Sequence, residues 1–195
     1  PLSHFESPSV GHTILIDVLY LTPSVDSLTG QNSSYLLIIL EAASCFLVAV
    51  PLYNLTANSI VTALKRWWFS YFGKPALIMS DSASNNTAQV FRQLMLDYNI
   101  QHALTAVQSH KSLSLLERRL RILNQIIRTS LLKHADKWLD HLHETVMAYN
   151  LVVSTASRYS PAELFLARQV HAPVLEDLPI KPKIDIFQDS QISRS

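Results

Sequence analysis

The chain has 195 residues, of which 48% are hydrophobic and 16% are charged, and its net charge is +1. This length and composition suit one folded domain, alone or with an extension, and the charge is too small to predict nucleic-acid binding by itself. A single cysteine excludes an intramolecular disulfide and a cysteine-rich zinc site, and no apolar run reaches the roughly 18 residues of a membrane span. The chain begins at Pro1 with no signal-peptide pattern, so we expect a piece of a larger protein.

The first fifty residues predict an antiparallel meander of three strands. Residues 1–11 are an irregular lead-in, and residues 12–21 are apolar on both faces, as is typical of a buried central strand. The polar segment Pro23–Ser34 predicts a turn. The apolar runs Tyr35–Leu40 and Cys45–Val50 are joined by a short link, which favours an antiparallel hairpin.

Helices and strands alternate in the rest of the chain. Thr56–Tyr71 predicts a helix that ends at Gly73 and Pro75, which are common stop signals. The elements predicted after it are strand Ala76–Ser80, helix Asn86–Tyr98, strand Ile100–Ala106, helices Ser112–Lys133 and Lys137–Asn150, and a short helix from Pro161. This order predicts an α/β domain over residues 12–172, with a mixed five-stranded sheet flanked by helices, and residues 173–195 form a proline-containing tail.

Three acidic residues occupy notable places in this pattern. Asp17 interrupts the first apolar strand, Asp81 directly follows a later one, and Glu117 lies within the longest predicted helix. A charge inside an apolar strand is costly to bury unless it is paired or binds a metal. Three carboxylates converging from two strands and a helix could hold two divalent cations, as in-line phosphoryl transfer on nucleic acid requires.

Each acid also has a purely structural interpretation. Asp17 could be satisfied by backbone amides, Asp81 could cap a turn, and Glu117 could pair with Arg121 four residues later on the helix surface. If all three structural interpretations held, the spacing of the three acids along the chain would be a coincidence.

The longest helix also carries the one local cluster of basic and amide side chains. We expect this cluster to contact DNA phosphates, and its members are Lys111, Arg118, Arg121, Asn124 and Arg128. A solvated helix face is the alternative for each arginine, because the surface is the usual location of charge.

Together these motifs resemble the catalytic core of retroviral and LTR-retrotransposon integrases, which have a ribonuclease H-like fold. The resemblance covers about residues 10–175. It is carried by Ile14–Val18, by Phe72–Pro75 leading into Asp81, by the 35 residues between Asp81 and Glu117, by Glu117-Arg118 followed by Asn124, and by Tyr159–Leu164, which is similar to the gypsy-type version.

The resemblance implies an activity and a set of partners. Asp17, Asp81 and Glu117 would be the catalytic acids and the ligands of Mg²⁺ or Mn²⁺. The implied reaction is 3′-end processing and DNA strand transfer in the nucleus. The implied partners are DNA and a second copy of the chain in a homodimer, with no membrane. Flanking zinc-binding and DNA-binding domains, which the family has, are not evident in this sequence.

The sequence departs from the family pattern next to the acids. Ser82-Ala83 follow Asp81 where the family usually has Asn-Gly, and residues 109–115 lack the glycine and proline usual before the glutamate. The chain has only 3 glycines in all. These departures resemble a divergent or domesticated relative, so the alternative function is a catalytically weakened core that serves as a DNA- or protein-binding module.

Overall fold

The computed structural model describes residues 9–81, 88–104, 111–134, 136–154 and 157–170, with side chains in the longest helix described at position 118 and from 120 onward. The strands are β1 (Thr13–Val25), β2 (Asn32–Glu41), β3 (Leu47–Leu52), β4 (Leu77–Ser80) and β5 (Gln101–Leu104). The helices are α1 (Ala57–Ala63), a π-helical turn (Leu64–Phe69), α2 (Ser70–Phe72), α3 (Gln89–Asp97), α4 (Lys111–Leu132), α5 (Trp138–Leu151) and α6 (Pro161–Leu166). Most of the predicted lead-in and the whole predicted tail, residues 173–195, lie outside the described residues.

The five strands form one mixed sheet in the order β3-β2-β1-β4-β5. The first three strands pair antiparallel as a meander, whereas β4 runs parallel to β1 and β5 runs parallel to β4. The predicted mixed sheet is therefore confirmed, with β1 at its centre.

Both faces of the sheet are buried, which explains why β1 is apolar on successive residues. Leu15 and Leu19 belong to a core that includes Leu123 and Ile127 of α4 and Trp138 of α5. The alternate residues of β1 face a second core that contains residues of α1, of the π-helical turn and of α3: Ile14, Ile16, Ile60, Leu64, Trp68, Phe91 and Leu94. Among the described residues, no helix is long and apolar enough to cross a membrane.

The hairpin between β1 and β2 is longer than predicted. β1 continues to Val25 and β2 begins at Asn32, so the expected turn over Pro23–Ser34 is shorter than the sequence indicated. The pairing shifts register between Tyr20 and Ser24. Pro23 lies in this irregular stretch, where a residue without an N–H can continue a strand.

The tip of this hairpin is held by the start of α5. The indole Nε1 of Trp138 donates a hydrogen bond to the Thr22 carbonyl at 2.7 Å. The carboxylate of Asp140 accepts from the Ser27 backbone N–H at 2.9 Å and from the Ser27 hydroxyl at 2.5 Å. These hydrogen bonds lower the pKa of Asp140.

The first helix begins as predicted and then widens. The Thr56 hydroxyl accepts from the Ser59 backbone N–H as an N-cap. In the π-helical turn the Ser70 N–H reaches back five residues to the Lys65 carbonyl. Gly73 ends the helix with a φ of 78°, a conformation that glycine adopts without strain.

The edge strand β3 is held at its first residue by α5. The Asn150 amide accepts from the Leu47 N–H at 2.9 Å and donates to the Leu47 carbonyl at 2.8 Å. The prediction that this strand starts at Cys45 was wrong by two residues, because Cys45 lies in the preceding turn with a φ of 61°.

Candidate active site

Asp17 and Asp81 are neighbours across the parallel pair β1–β4. The register joins Ile14 to Ile78 and Leu15 to Met79, and the same offset continued by two residues places Asp17 beside Asp81. Adjacent strands lie about 4.8 Å apart, and residues two apart share a face. The pair therefore lies on the face of the sheet that Leu15 and Met79 share with α4, with Asp17 half-buried and Asp81 exposed.

Asp17 is half-buried, and each of its carboxylate oxygens accepts a hydrogen bond. The Val18 N–H donates to Oδ1 at 2.8 Å, and the Asn124 amide donates to Oδ2 at 2.6 Å. Burial raises the pKa of Asp17, and the nearby Asp81 carboxylate raises it further. The two hydrogen bonds and the charge of Arg128 oppose this rise in pKa without cancelling it.

This environment bears on the structural interpretation of Asp17. One backbone amide and one side-chain amide reach it within the described part of the chain, whereas a carboxylate offers about four acceptor positions. The remaining acceptor positions and the adjacent Asp81 make a site that favours an added positive charge.

The position of Glu117 is compatible with the predicted triad, but its side chain lies outside the described part. Its backbone belongs to α4, seven residues before Asn124, and residues seven apart lie on nearly the same side of a helix. Convergence of the third carboxylate therefore stays a prediction. The side chain of Lys111, another predicted DNA contact, also lies outside the described part.

The other predicted DNA contacts divide into two kinds. Arg118, Arg121 and Arg128 are exposed, and Arg128 is close enough to affect the charge of Asp17. Asn124 is instead partly buried and bonded to Asp17. Its carbonyl oxygen Oδ1 is buried and has no hydrogen-bond partner in the described structure.

Two residues that support Asp81 were missed by the sequence analysis. The Ser80 hydroxyl donates to the Asp81 carbonyl at 2.9 Å and lies 2.9 Å from the Nε2 atom of His102 on β5. Burial lowers the pKa of His102 and favours its neutral form. Ser80 directly precedes the acid, but no pattern in the sequence indicates His102 as its partner.

A further buried acid, Glu41, has a structural role. It is fully buried, and its two oxygens accept from Gly11 N–H at 3.0 Å, Ala43 N–H at 3.1 Å, Ser44 N–H at 2.7 Å and the Ser44 hydroxyl at 2.6 Å. Glu41 pairs with Ile14, three residues before Asp17 on β1. These bonds shape the β2–β3 turn and leave Glu41 outside the candidate site.

The donor set at the candidate site fits a hard divalent cation. Asp17 and Asp81 offer carboxylate oxygens, which Mg²⁺ prefers, and the ion needs only one or two carboxylates besides water and substrate phosphate. The described side chains, which do not include Glu117, contain no cluster of three histidine, cysteine or acidic residues suited to a metal. The two aspartates are thus the described part of the predicted ligand set.

Comparison with known proteins defines the class of protein. The model of the integrase core domain family matches residues 10–110, just over half of the chain. The chain therefore belongs to the integrase core domain family, which confirms the resemblance found in its motifs.

The curated relatives are much longer proteins. The chain is 21% identical over 174 residues to the retrovirus-related Pol polyprotein from transposon 412 of Drosophila melanogaster, covering 89% of the chain and 14% of that protein. It is 23% identical over 146 residues to the transposon Tf2-3 polyprotein of Schizosaccharomyces pombe, covering 72% of the chain and 11% of that protein. The chain thus spans a small fraction of the relatives that it matches.

Solved structures of integrases share the fold. The HTLV-2 integrase catalytic core domain in complex with magnesium, in its trimeric form, superposes with a TM-score of 0.61 at 17% identity, covering 82% of this chain and 99% of that one. A simian T-cell lymphotropic virus intasome in complex with PP2A regulatory subunit B56 gamma gives a TM-score of 0.65 at 18% identity, covering 94% of this chain and 63% of that one. The predicted ribonuclease H-like fold is confirmed.

Proposed function

We propose that this chain is the catalytic core of an enzyme that processes DNA 3′ ends and joins them to a second DNA by two-metal phosphoryl transfer. The observation that carries the proposal is the adjacency of Asp17 and Asp81 on parallel strands beneath α4. Burial, and to a smaller extent the Asp81 carboxylate, raise the pKa of Asp17, and a bound cation would favour its ionised form.

In this proposal the residues have distinct roles. Asp17 and Asp81, with Glu117 as the third acid, would hold Mg²⁺ or Mn²⁺. When bound, a pair of such ions supplies activation of the attacking oxygen and charge stabilisation of the leaving oxygen. Arg128 partly offsets the negative charge at Asp17. The Ser80 hydroxyl holds the backbone carbonyl of Asp81, and His102 holds that hydroxyl in turn.

The DNA would lie along α4. The exposed Arg118, Arg121 and Arg128 would contact phosphates, with Lys111 at the helix start and Asn124 as the remaining predicted contact. The proposal includes a homodimer, flanking domains in a longer protein and a nuclear site of action. The greater length of the transposon polyproteins supports flanking domains.

A Mn²⁺ titration followed by thermal unfolding tests the ion site. An ion at about 100 times its dissociation constant stabilises a protein by about 2.7 kcal/mol. We expect the parent chain to gain this stability and an Asp81→Asn variant to lose most of the gain. Asp97→Asn, an exposed acid on α3 bonded to Gln93, is the matched control and should respond as the parent does.

Strand transfer with labelled DNA ends tests the reaction. We expect joined products with the parent and with Asp97→Asn, and none with Asp17→Asn, Asp81→Asn or Glu117→Gln. Unchanged Mn²⁺ stabilisation in Asp81→Asn, or strand transfer that survives Glu117→Gln, would contradict the proposal.

The second candidate is a DNA- or protein-binding module that has lost efficient catalysis. It is favoured by the absence of glycine and proline from residues 109–115, next to Glu117. This candidate predicts that DNA binding in EDTA is the same for the parent and for all three acid variants, and that no strand transfer occurs with any of them.

A further inference from the structure

Asn124 connects the longest helix to the central strand at the candidate site. It lies in α4 between Leu123 and Ile127, which are both buried against the sheet. Its amide nitrogen donates to Asp17 Oδ2 at 2.6 Å across 107 positions of sequence. A donor to an ionised carboxylate makes a shorter and stronger bond than a neutral pair does.

The hydrogen bonds to Asp17 fix the orientation of its carboxylate. The Val18 N–H holds Oδ1 and the Asn124 amide holds Oδ2, so rotation of the group would break two bonds. Groups that hold a ligand in this way commonly change metal affinity by 10–100-fold when they are removed. The Asp17 carboxylate is therefore held beside Asp81 in one orientation before an ion binds.

The other end of the Asn124 amide points to the same role. Its Oδ1 is buried and has no partner in the described structure, although buried polar atoms are ordinarily satisfied. A buried acceptor on the amide that holds Asp17 suits a donor that arrives with a ligand. An amide devoted to phosphate contact would instead be expected to be exposed, as the side chains of Arg121 and Arg128 are.

We propose that Asn124 is a positioning residue, which orients Asp17 for ion binding and does not contact DNA itself. This inference rests on the proposed function, because it assumes that Asp17 binds the ion. It replaces the DNA contact predicted for Asn124 from the sequence, and it leaves that role to the exposed arginines of α4.

The test measures Mn²⁺ affinity and DNA affinity separately on the 195-residue chain. Asn124→Leu keeps a side chain of similar size among Leu123 and Ile127 but removes the amide, and Asn124→Ala is the second variant. Gln125→Ala removes an exposed amide from the next position and is the matched control. Mn²⁺ binding is measured by calorimetry, and DNA binding is measured in EDTA.

We expect both Asn124 variants to bind Mn²⁺ about 10-fold more weakly than the parent while keeping DNA affinity within about twofold. Both variants lose the hydrogen bond to Asp17, and Asn124→Leu should regain part of the lost stability because leucine favours both the helix and the core. A loss of ion affinity that is equally large in the two variants, although their stabilities differ, is a result that a merely structural role would not give. Gln125→Ala should match the parent in every measurement.

The outcomes separate this inference from the proposed function. If the parent binds Mn²⁺ and both Asn124 variants bind it equally well, the positioning role is wrong and the function stands. If the variants lose DNA affinity in EDTA as Arg121→Ala does, Asn124 contacts DNA and the positioning role is again wrong. If the parent binds no Mn²⁺, both proposals are wrong.

Discussion

Replacement of Asp17 by asparagine should stabilise the protein in the absence of metal. The aspartate is half-buried beside Asp81, and burial together with that second charge makes its ionised form unfavourable in the folded state. Asparagine has nearly the same shape and no charge. A residue kept for function often costs stability in this way.

The hydrogen bonds of position 17 should survive the change. The new carbonyl oxygen can accept from the Val18 N–H as Oδ1 does now. The new amide can donate to Asn124 Oδ1, which is buried and without a partner, once the Asn124 amide turns over. Because these hydrogen bonds are kept, we expect removal of the charge in Asp17→Asn to raise the free energy of unfolding by about 1 kcal/mol. This gain corresponds to an unfolding temperature about 2–4 °C higher for a chain of this length.

The gain should depend on pH in a defined direction. The pKa of Asp17 is raised above its ordinary value of 3.8, so the folded protein binds the proton more tightly than the unfolded chain does. Stability of the parent therefore falls as the pH rises from the unfolded pKa through the raised folded pKa. The advantage of Asp17→Asn should be absent in acid below this window and complete above it.

Thermal unfolding in EDTA across this pH range is the assay. Asp97→Asn, on the exposed surface of α3, is the control and should change stability by less than about 0.5 kcal/mol. A loss of stability in Asp17→Asn at neutral pH would show that the carboxylate is held for structure, and it would refute the role given to the charge.

Three further predictions concern contacts outside the candidate site. Glu41→Gln should lower the free energy of unfolding, measured in urea titrations, by about 2–3 kcal/mol. The new amide nitrogen must face one of the buried N–H groups that now donate to the carboxylate. A change under about 0.5 kcal/mol would contradict this prediction. Asn150→Ala should lower the free energy of unfolding by about 2 kcal/mol in the same titrations, because the backbone N–H and carbonyl of Leu47 both lose their partner. An unchanged free energy of unfolding would mean that water replaces the amide. Asp140→Asn should speed hydrogen exchange of the Ser27 amide. In the parent, exchange of the same amide should become faster as the pH falls through the lowered pKa of Asp140, because the stabilisation exists only while the carboxylate is ionised. Protection from exchange that does not change with pH would contradict this prediction.

Much of the fold was predictable because its signals are local. The apolar run that contains Asp17 indicated a buried central strand, and the cap residues around the Thr56–Tyr71 helix indicated where it begins and ends. The order of elements then restricted the sheet to a mixed arrangement. The adjacency of Asp17 and Asp81 followed from that order, although its register did not.

The remaining features depend on contacts between distant segments. β1 extends to Val25 because the hairpin tip docks on Asp140, which is 113 positions from Ser27. The pairing of Asn124 with Asp17 spans 107 positions, and although helical spacing places Asn124 beside the buried Leu123 and Ile127, no local signal identifies Asp17 as its partner. The π-helical turn depends on a hydrogen-bond shift that composition does not indicate.

The edge strand β3 offers little to another strand. Successive residues of a strand direct their backbone groups to alternate sides, and Asn150 shows that Leu47 directs its own away from β2. Ala49 and Pro51 must then point outward as well, and proline has no N–H to donate. Ala49 alone keeps a complete outward pair of backbone groups, too few to recruit a foreign strand. The β3 edge is therefore protected from pairing with a strand of another copy of this protein.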